Sequence, residues 1–102
     1  MTQSGETLPV HAHITVRGRV QGVGFRAFAA RAAERLELLG GVRNLQDGLV
    51  ELEVEGPKIR IESLLRELKI GPPAAYVAQI DIEWSGASGR YSGFSIWYES
   101  RT

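Results

Sequence analysis

From Val10 the chain alternates, with Val10, Ala12, Ile14 and Val16 apolar and His11, His13, Thr15 and Arg17 polar or charged. A period of two predicts a strand with one buried face. Gly18, Gly22 and Gly24 then punctuate a loop, and Phe25, Phe28, Ala29, Ala32, Ala33 and Leu36 follow at the spacing of an amphipathic helix. Gly40 and Gly41 are expected to stop that helix. A short strand over 42–45 then meets a second alternating run across Asp47-Gly48, a hairpin signal. Val50, Leu52 and Val54 form the inward side of that run, and Glu51, Glu53 and Glu55 its outward side. Gly56-Pro57 places proline at a helix start, where its missing N–H costs nothing. Ile61, Leu64, Leu65 and Leu68 make the next apolar stripe, and Gly71-Pro72-Pro73 ends it. Ala78, Ile80, Ile82 and Trp84 alternate as a fourth strand. Beyond a Ser/Gly-rich loop over 85–93, Phe94, Ile96 and Tyr98 form a fifth.

The order is βαββαβ plus one strand. Two helices that each carry a single apolar stripe must share one sheet face, which predicts a two-layer α+β sandwich. The domain is expected over 10–102, behind a flexible polar lead-in over 1–9. The strand of alternating glutamates and the fifth strand are the candidates for sheet edges.

Composition narrows the function classes. The 102 residues carry 12 Lys plus Arg against 12 Asp plus Glu, with no Cys. Disulfides, thiolate metal sites and cysteine nucleophiles are excluded. A neutral balance argues against a general nucleic-acid binder, which carries a basic surplus. No apolar stretch approaches the roughly 20 residues of a membrane-spanning helix, and the first nine residues lack the pattern of a signal peptide. The expectation is a cytoplasmic monomer with no nucleic-acid or membrane partner.

The loop from Gly18 to Arg26 is the most informative stretch. Glycines let consecutive backbone N–H groups converge, and a helix N-terminus adds unsatisfied donors and a positive dipole end. Arg26 in the first helical turn is disfavoured by that dipole unless an anion sits between them. A phosphoryl group would supply the charge, and a guanidinium fork matches two of its oxygens. Taken alone, the loop is served equally by a glycine-rich turn with an exposed arginine. It lacks the Lys-Ser/Thr ending of a nucleoside triphosphate loop. Gly22-x-Gly24-x-x-Ala27 fits a dinucleotide fingerprint, with Asp47 at the ribose-binding distance, but Asp47 belongs to a hairpin and no parallel crossover sheet is predicted. Asn44, just before the hairpin turn, offers both a donor and an acceptor. It either holds a water or shapes the turn.

Gly18-x-Val20-Gln21-Gly22-Val23-x-Phe25-Arg26, followed by Gly40-x-Val42-Arg43-Asn44-x-x-x-Gly48-x-Val50 and Gly56, resembles the acylphosphatase family in two linked motifs. The resemblance runs from about His11 to Tyr98. It implies a ferredoxin-like fold and hydrolysis of acyl phosphates without metal, cofactor or covalent intermediate. It further implies that the backbone amides of Gln21, Gly22, Val23, Gly24, Phe25 and Arg26 wrap the phosphoryl group, that Arg26 neutralises it, and that Asn44 orients the attacking water. Domains of this kind also occur inside larger carbamoyl-transfer maturation proteins; a standalone hydrolase is expected here, with a non-catalytic phosphate-binding module as the alternative. The family pattern is broken at two positions. Gly41 stands where an aromatic residue is common, which removes a packing anchor. Glu37 stands where glycine or asparagine is usual, which strains a left-handed cap by roughly 1 kcal/mol unless Gly40 takes over the stop.

Other residues are given no role. His11 and His13 share a strand face without local ligand partners and read as surface histidines. Asp47 and Glu51 flank a turn and read as solvated. Trp84, Trp97 and Tyr98 bring base stacking to mind, but the glutamates of the third strand would repel a phosphate backbone.

Overall fold

A computed structural model of the chain describes residues 8–98. The element order is β1 (Pro9–Arg19), α1 (Phe25–Arg35), β2 (Leu39–Asn44), β3 (Val50–Pro57), α2 (Lys58–Ile70), β4 (Tyr76–Gly86) and β5 (Phe94–Trp97). The strands form one five-stranded sheet ordered β4-β1-β3-β2-β5. β1 lies antiparallel between β4 and β3, β2 is antiparallel to β3, and β5 joins β2 in parallel. This is the two-layer sandwich that the periodicity predicts, in the ferredoxin-like form that the family resemblance implies. Residues 1–7 of the expected lead-in, and 99–102, lie outside the described residues, and Pro9 is already paired with Pro57 in the sheet.

Alternation delivers Ala12, Ile14 and Val16 from β1, Val42 from β2, and Val50, Leu52 and Val54 from β3 to one face, all fully buried. Phe25, Ala29 and Ala33 of α1 and Ile61, Leu64 and Leu68 of α2 cover that face. Each fully buried branched or aromatic side chain is worth about 1.5–3 kcal/mol of burial, so this layer fixes where both ends of α1 sit against the sheet.

Several sequence expectations are corrected. Gly40 and Gly41 do not stop α1; both lie inside β2. The helix ends earlier, where the Leu38 N–H donates to Ala33 O at 2.9 Å and the Glu37 N–H donates to Glu34 O at 3.0 Å. That pairing is a Schellman cap, and Glu37 occupies its left-handed position with φ 59°. Ala78 does not face the core; Val77 packs there instead. A register shift between Arg17 and Gly18 resets the alternation, because β4 bulges against Gly18, where a Cβ would lie 2.1 Å from Tyr76 O. The glutamate strand β3 is central rather than an edge, and the edges are β4 and β5.

Candidate active site

The chain leaves β1 at Arg19 and turns through Gly22 and Gly24, at φ 75° and 81°. Both are left-handed positions that favour glycine. A Cβ at either would meet nothing within 4 Å, so the demand is conformational rather than steric. Gly24 is the N-cap of α1, no side chain caps the helix, and its first turn has no acidic residue. The first N–H groups of a helix have no intrahelical acceptor, so this end presents donors and the positive end of the dipole. Arg26 adds a guanidinium to the same place.

Asn44 is the last residue of β2 and pairs with Val50 of β3. Alternation from Val42 puts it on the helix-bearing face, beside the start of α1. Arg26 and Asn44 thereby line one cavity of ≈ 180 Å³, together with Val20, Gly22, Gly24, Phe25, Ala27, Ile96 and Tyr98. That volume is about six water molecules' share of liquid. The Asn44 Oδ1 is buried without a hydrogen-bond partner. An unmet buried acceptor costs about 1–3 kcal/mol, a cost that a donor entering the cavity would relieve.

Of the sequence-predicted site residues, Gly22, Gly24, Phe25, Arg26 and Asn44 line this cavity. Val23 packs against the core. Gln21 turns its side chain away, donating from Nε2 to Leu45 O and to Leu49 O, each at 2.8 Å. Ile96 and Tyr98 were not singled out for this site from sequence. The Arg26 guanidinium stands 5.3 Å from the centre of the Tyr98 ring, a cation–π contact. Their signal was the alternation of the fifth strand, but only the parallel pairing of Val42 with Ile96 brings that strand to the loop.

A second cluster of ionisable groups occupies the opposite face of the sheet. The reading of His11 and His13 as plain surface histidines, and of Glu51 as solvated, is overturned by the register of β1 against β3. His11 bridges Glu55 (Nδ1 to Oε2, 2.7 Å) and Glu53 (Nε2 to Oε1, 2.6 Å), and His13 Nε2 lies 2.7 Å from Glu51 Oε2. Glu51 and Glu55 are buried. Burial pulls the His13 pKa down, but hydrogen bonds to Glu51 and Glu83 and the charge of Glu53 outweigh it, leaving it above 6.5. Burial likewise opposes ionisation of Glu55, yet the N–H of Ser88, His11, the N–H of Gly89 and the Ser88 hydroxyl bring it from 4.5 down to about 2. Ligand atoms of His13, Glu51 and Glu53 lie within 4.8 Å of one another. Arg43 stands 3.7 Å from Glu51, so a cation already faces this group.

The 87–93 segment crosses part of that face as it passes from β4 to β5, its Tyr91 ring 6.3 Å from His11 and 6.0 Å from Trp97. Trp97 also answers the missing aromatic at Gly41. A Cβ on Gly41 would lie 2.1 Å from the Trp97 ring, and the ring stacks under Arg43 at 4.4 Å. The packing anchor is present, supplied by the neighbouring strand.

Fold and cavity together define a ferredoxin-like domain with a cationic pocket built from a glycine loop, a helix N-terminus and a strand-end carboxamide. The acylphosphatase family model matches residues 12–96. The acylphosphatase of Salinibacter ruber is 47% identical over 94 residues, spanning 92% of this chain and 97% of that protein. The crystal structure of acylphosphatase from Bacillus subtilis superposes with a TM-score of 0.85 at 39% identity, covering 87% of this chain and 99% of the other. Full-length HypF, crystallised in a phosphate- and nucleotide-bound form, superposes with a TM-score of 0.81 at 35% identity over 89% of this chain but 12% of its own. The chain belongs to the acylphosphatase family, and its class of chemistry is acyl-phosphate hydrolysis. Among the described residues no helix is long and apolar enough to cross a membrane.

Proposed function

We propose that this cavity hydrolyses the mixed anhydride of an acyl phosphate through Arg26, Asn44 and the backbone of 21–26. The loop amides and the Arg26 guanidinium hold the non-bridging oxygens of the phosphoryl group. The carboxamide oxygen of Asn44 accepts a hydrogen bond from a water and aims it at phosphorus. As the water oxygen bonds to phosphorus, the bond from phosphorus to the acyl oxygen breaks. The carboxylate leaves with its electron pair, and the water's proton passes to a phosphate oxygen. A carboxylate is a good leaving group, so positioning and charge complementarity supply most of the catalysis.

The observation that carries this reading is the buried, unpartnered Oδ1 of Asn44 in the cavity that Arg26 lines. The ionised phosphoryl group of an acyl phosphate offers only acceptors and cannot satisfy a carbonyl oxygen, whereas a water can. Among the described residues the lining holds no carboxylate, thiol or imidazole, and a guanidinium repels a metal cation, which supports a metal-independent reaction.

The test is benzoyl phosphate hydrolysis at neutral pH with a chelator present. Arg26→Ala is expected to lose one to three decades in kcat/KM, about 1.4–4 kcal/mol of transition-state stabilisation. A fully active Arg26→Ala enzyme would sink the assignment. A folded wild type that binds inorganic phosphate without turnover would favour the binding module.

A further inference from the structure

The Gln21 side chain performs a task that its place in the phosphate loop does not require. Its Nε2 carries two hydrogens, and both are committed, one to Leu45 O and one to Leu49 O, each at 2.8 Å. Those carbonyls sit at the neck of the β2–β3 hairpin, where the Leu45 N–H donates to Leu49 O at 2.8 Å. Leu45 follows Asn44 directly, and Leu49 precedes Val50, the cross-strand partner of Asn44. One carboxamide nitrogen thus pins the loop that would hold phosphate to the strand end that would hold water.

We propose that Gln21 is a positioning residue that locks the phosphate loop to the β2–β3 neck and so fixes the Asn44 carboxamide relative to the bound phosphoryl group. The inference rests on the proposed roles of the loop and Asn44. No other side chain substitutes simply. Glutamate offers two acceptors to two carbonyls, asparagine is one methylene short, and methionine keeps the length but has no donor. Misplacement of a reacting group by about 1 Å can cost on the order of a hundredfold in rate. The phosphate-binding amides belong to the loop itself, so loosening the neck should harm water placement more than phosphate binding.

The experiment compares wild type, Gln21→Met, Gln21→Glu, Asn44→Ala and the Gln21→Met/Asn44→Ala double variant, with circular dichroism confirming the fold. Gln21→Met is expected to lower kcat about 10- to 100-fold, while the inhibition constant for inorganic phosphate stays within about threefold. In the Asn44→Ala background the same change should cost less than about twofold, because both act through one group. The kcat of Gln21→Glu relative to wild type should rise as pH falls from about 7 to 5, since a protonated carboxyl regains one donor. If Gln21→Met does not fold, this pH profile decides alone. Phosphate affinity falling in step with kcat, multiplicative losses in the double variant, or a flat pH ratio would overturn the proposal. A wild type without turnover would defeat the hydrolase reading and not this coupling, which amide hydrogen exchange then decides. Inorganic phosphate should slow exchange at Leu45 and Gly48 in wild type but not in the folded Gln21 variant, and equal slowing in both would refute it.

Discussion

Replacing Glu55 with glutamine removes a charge from the helix-free face without changing its volume. In the native structure Glu55 Oε2 accepts from the Ser88 N–H and hydroxyl, each at 2.8 Å, and pairs with His11 Nδ1 at 2.7 Å, while Oε1 accepts from the Gly89 N–H at 3.0 Å. A glutamine that keeps its oxygen at the first three partners turns an NH₂ group toward the Gly89 N–H, donor against donor. The carboxyl titrates at about 2 instead of 4.5. At about 1.4 kcal/mol per pH unit, the folded state gains on the order of 3 kcal/mol from ionised Glu55. Because the folded value is depressed, that stability is present above pH 4.5 and is lost as pH falls toward 2. Urea unfolding of wild type and Glu55→Gln between pH 7 and pH 2.5 reads the difference directly. The gap should be about 3 kcal/mol at pH 7, or about 12–24 °C in Tm, and should close progressively below pH 4.5. A gap under about 0.5 kcal/mol at pH 7, or one that persists unchanged to pH 3, would refute the reasoning. The consequence reaches the cavity, since the 87–93 segment that Glu55 tethers leads into β5 and its Ile96.

Two further substitutions test the backbone that frames the site. Glu37→Gly should stabilise the protein by about 0.5–1 kcal/mol by relieving the left-handed strain at φ 59°, with little lost from the exposed Arg60–Glu37 pair at 3.1 Å; a lower urea midpoint would contradict this. Gly40→Ala should cost about 2–4 kcal/mol, since φ is 130° and its Cβ would lie 1.8 Å from Glu53 O. A wild-type midpoint for that variant would show that β2 shifts freely, which the central place of β3 argues against.

Period-two alternation and helical stripes identified every element but β2, because each has one face in the core and the other away from it; β2 was placed by the hairpin signal, short of its true start at Leu39. What they could not show is what covers the second face. Glu51 read as solvated and Glu53 and Glu55 as merely outward, yet the register sets all three against His11 and His13, and Ser88 and Gly89 of the 87–93 segment bind Glu55. That segment carries no apolar pattern, so its route was invisible. The same holds for β3: a hairpin signal joins it to β2 but is silent on β1, whose pairing makes it central. Gly41 looked like a lost anchor because its replacement, Trp97, lies far along the chain and meets it only through parallel pairing. In the candidate site, Arg26 was legible because a cation in the first turn behind a glycine loop has a chemical reason to be there, whereas Asn44, open to two readings by position, was picked out through the family resemblance. Ile96 and Tyr98 were not, since nothing local ties them to the loop. Gln21 was legible as part of the loop backbone, while the task of its side chain depended on a hairpin neck that only the fold brings near.

The most direct test of the account is the turnover of benzoyl phosphate by Asn44→Ala, measured beside its affinity for inorganic phosphate. If the Asn44 carboxamide places the attacking water, kcat falls by about two decades or more while phosphate binds within about threefold of wild type. Full turnover in the variant, or phosphate affinity lost in proportion to kcat, would contradict the assignment of Asn44 to water rather than to phosphate.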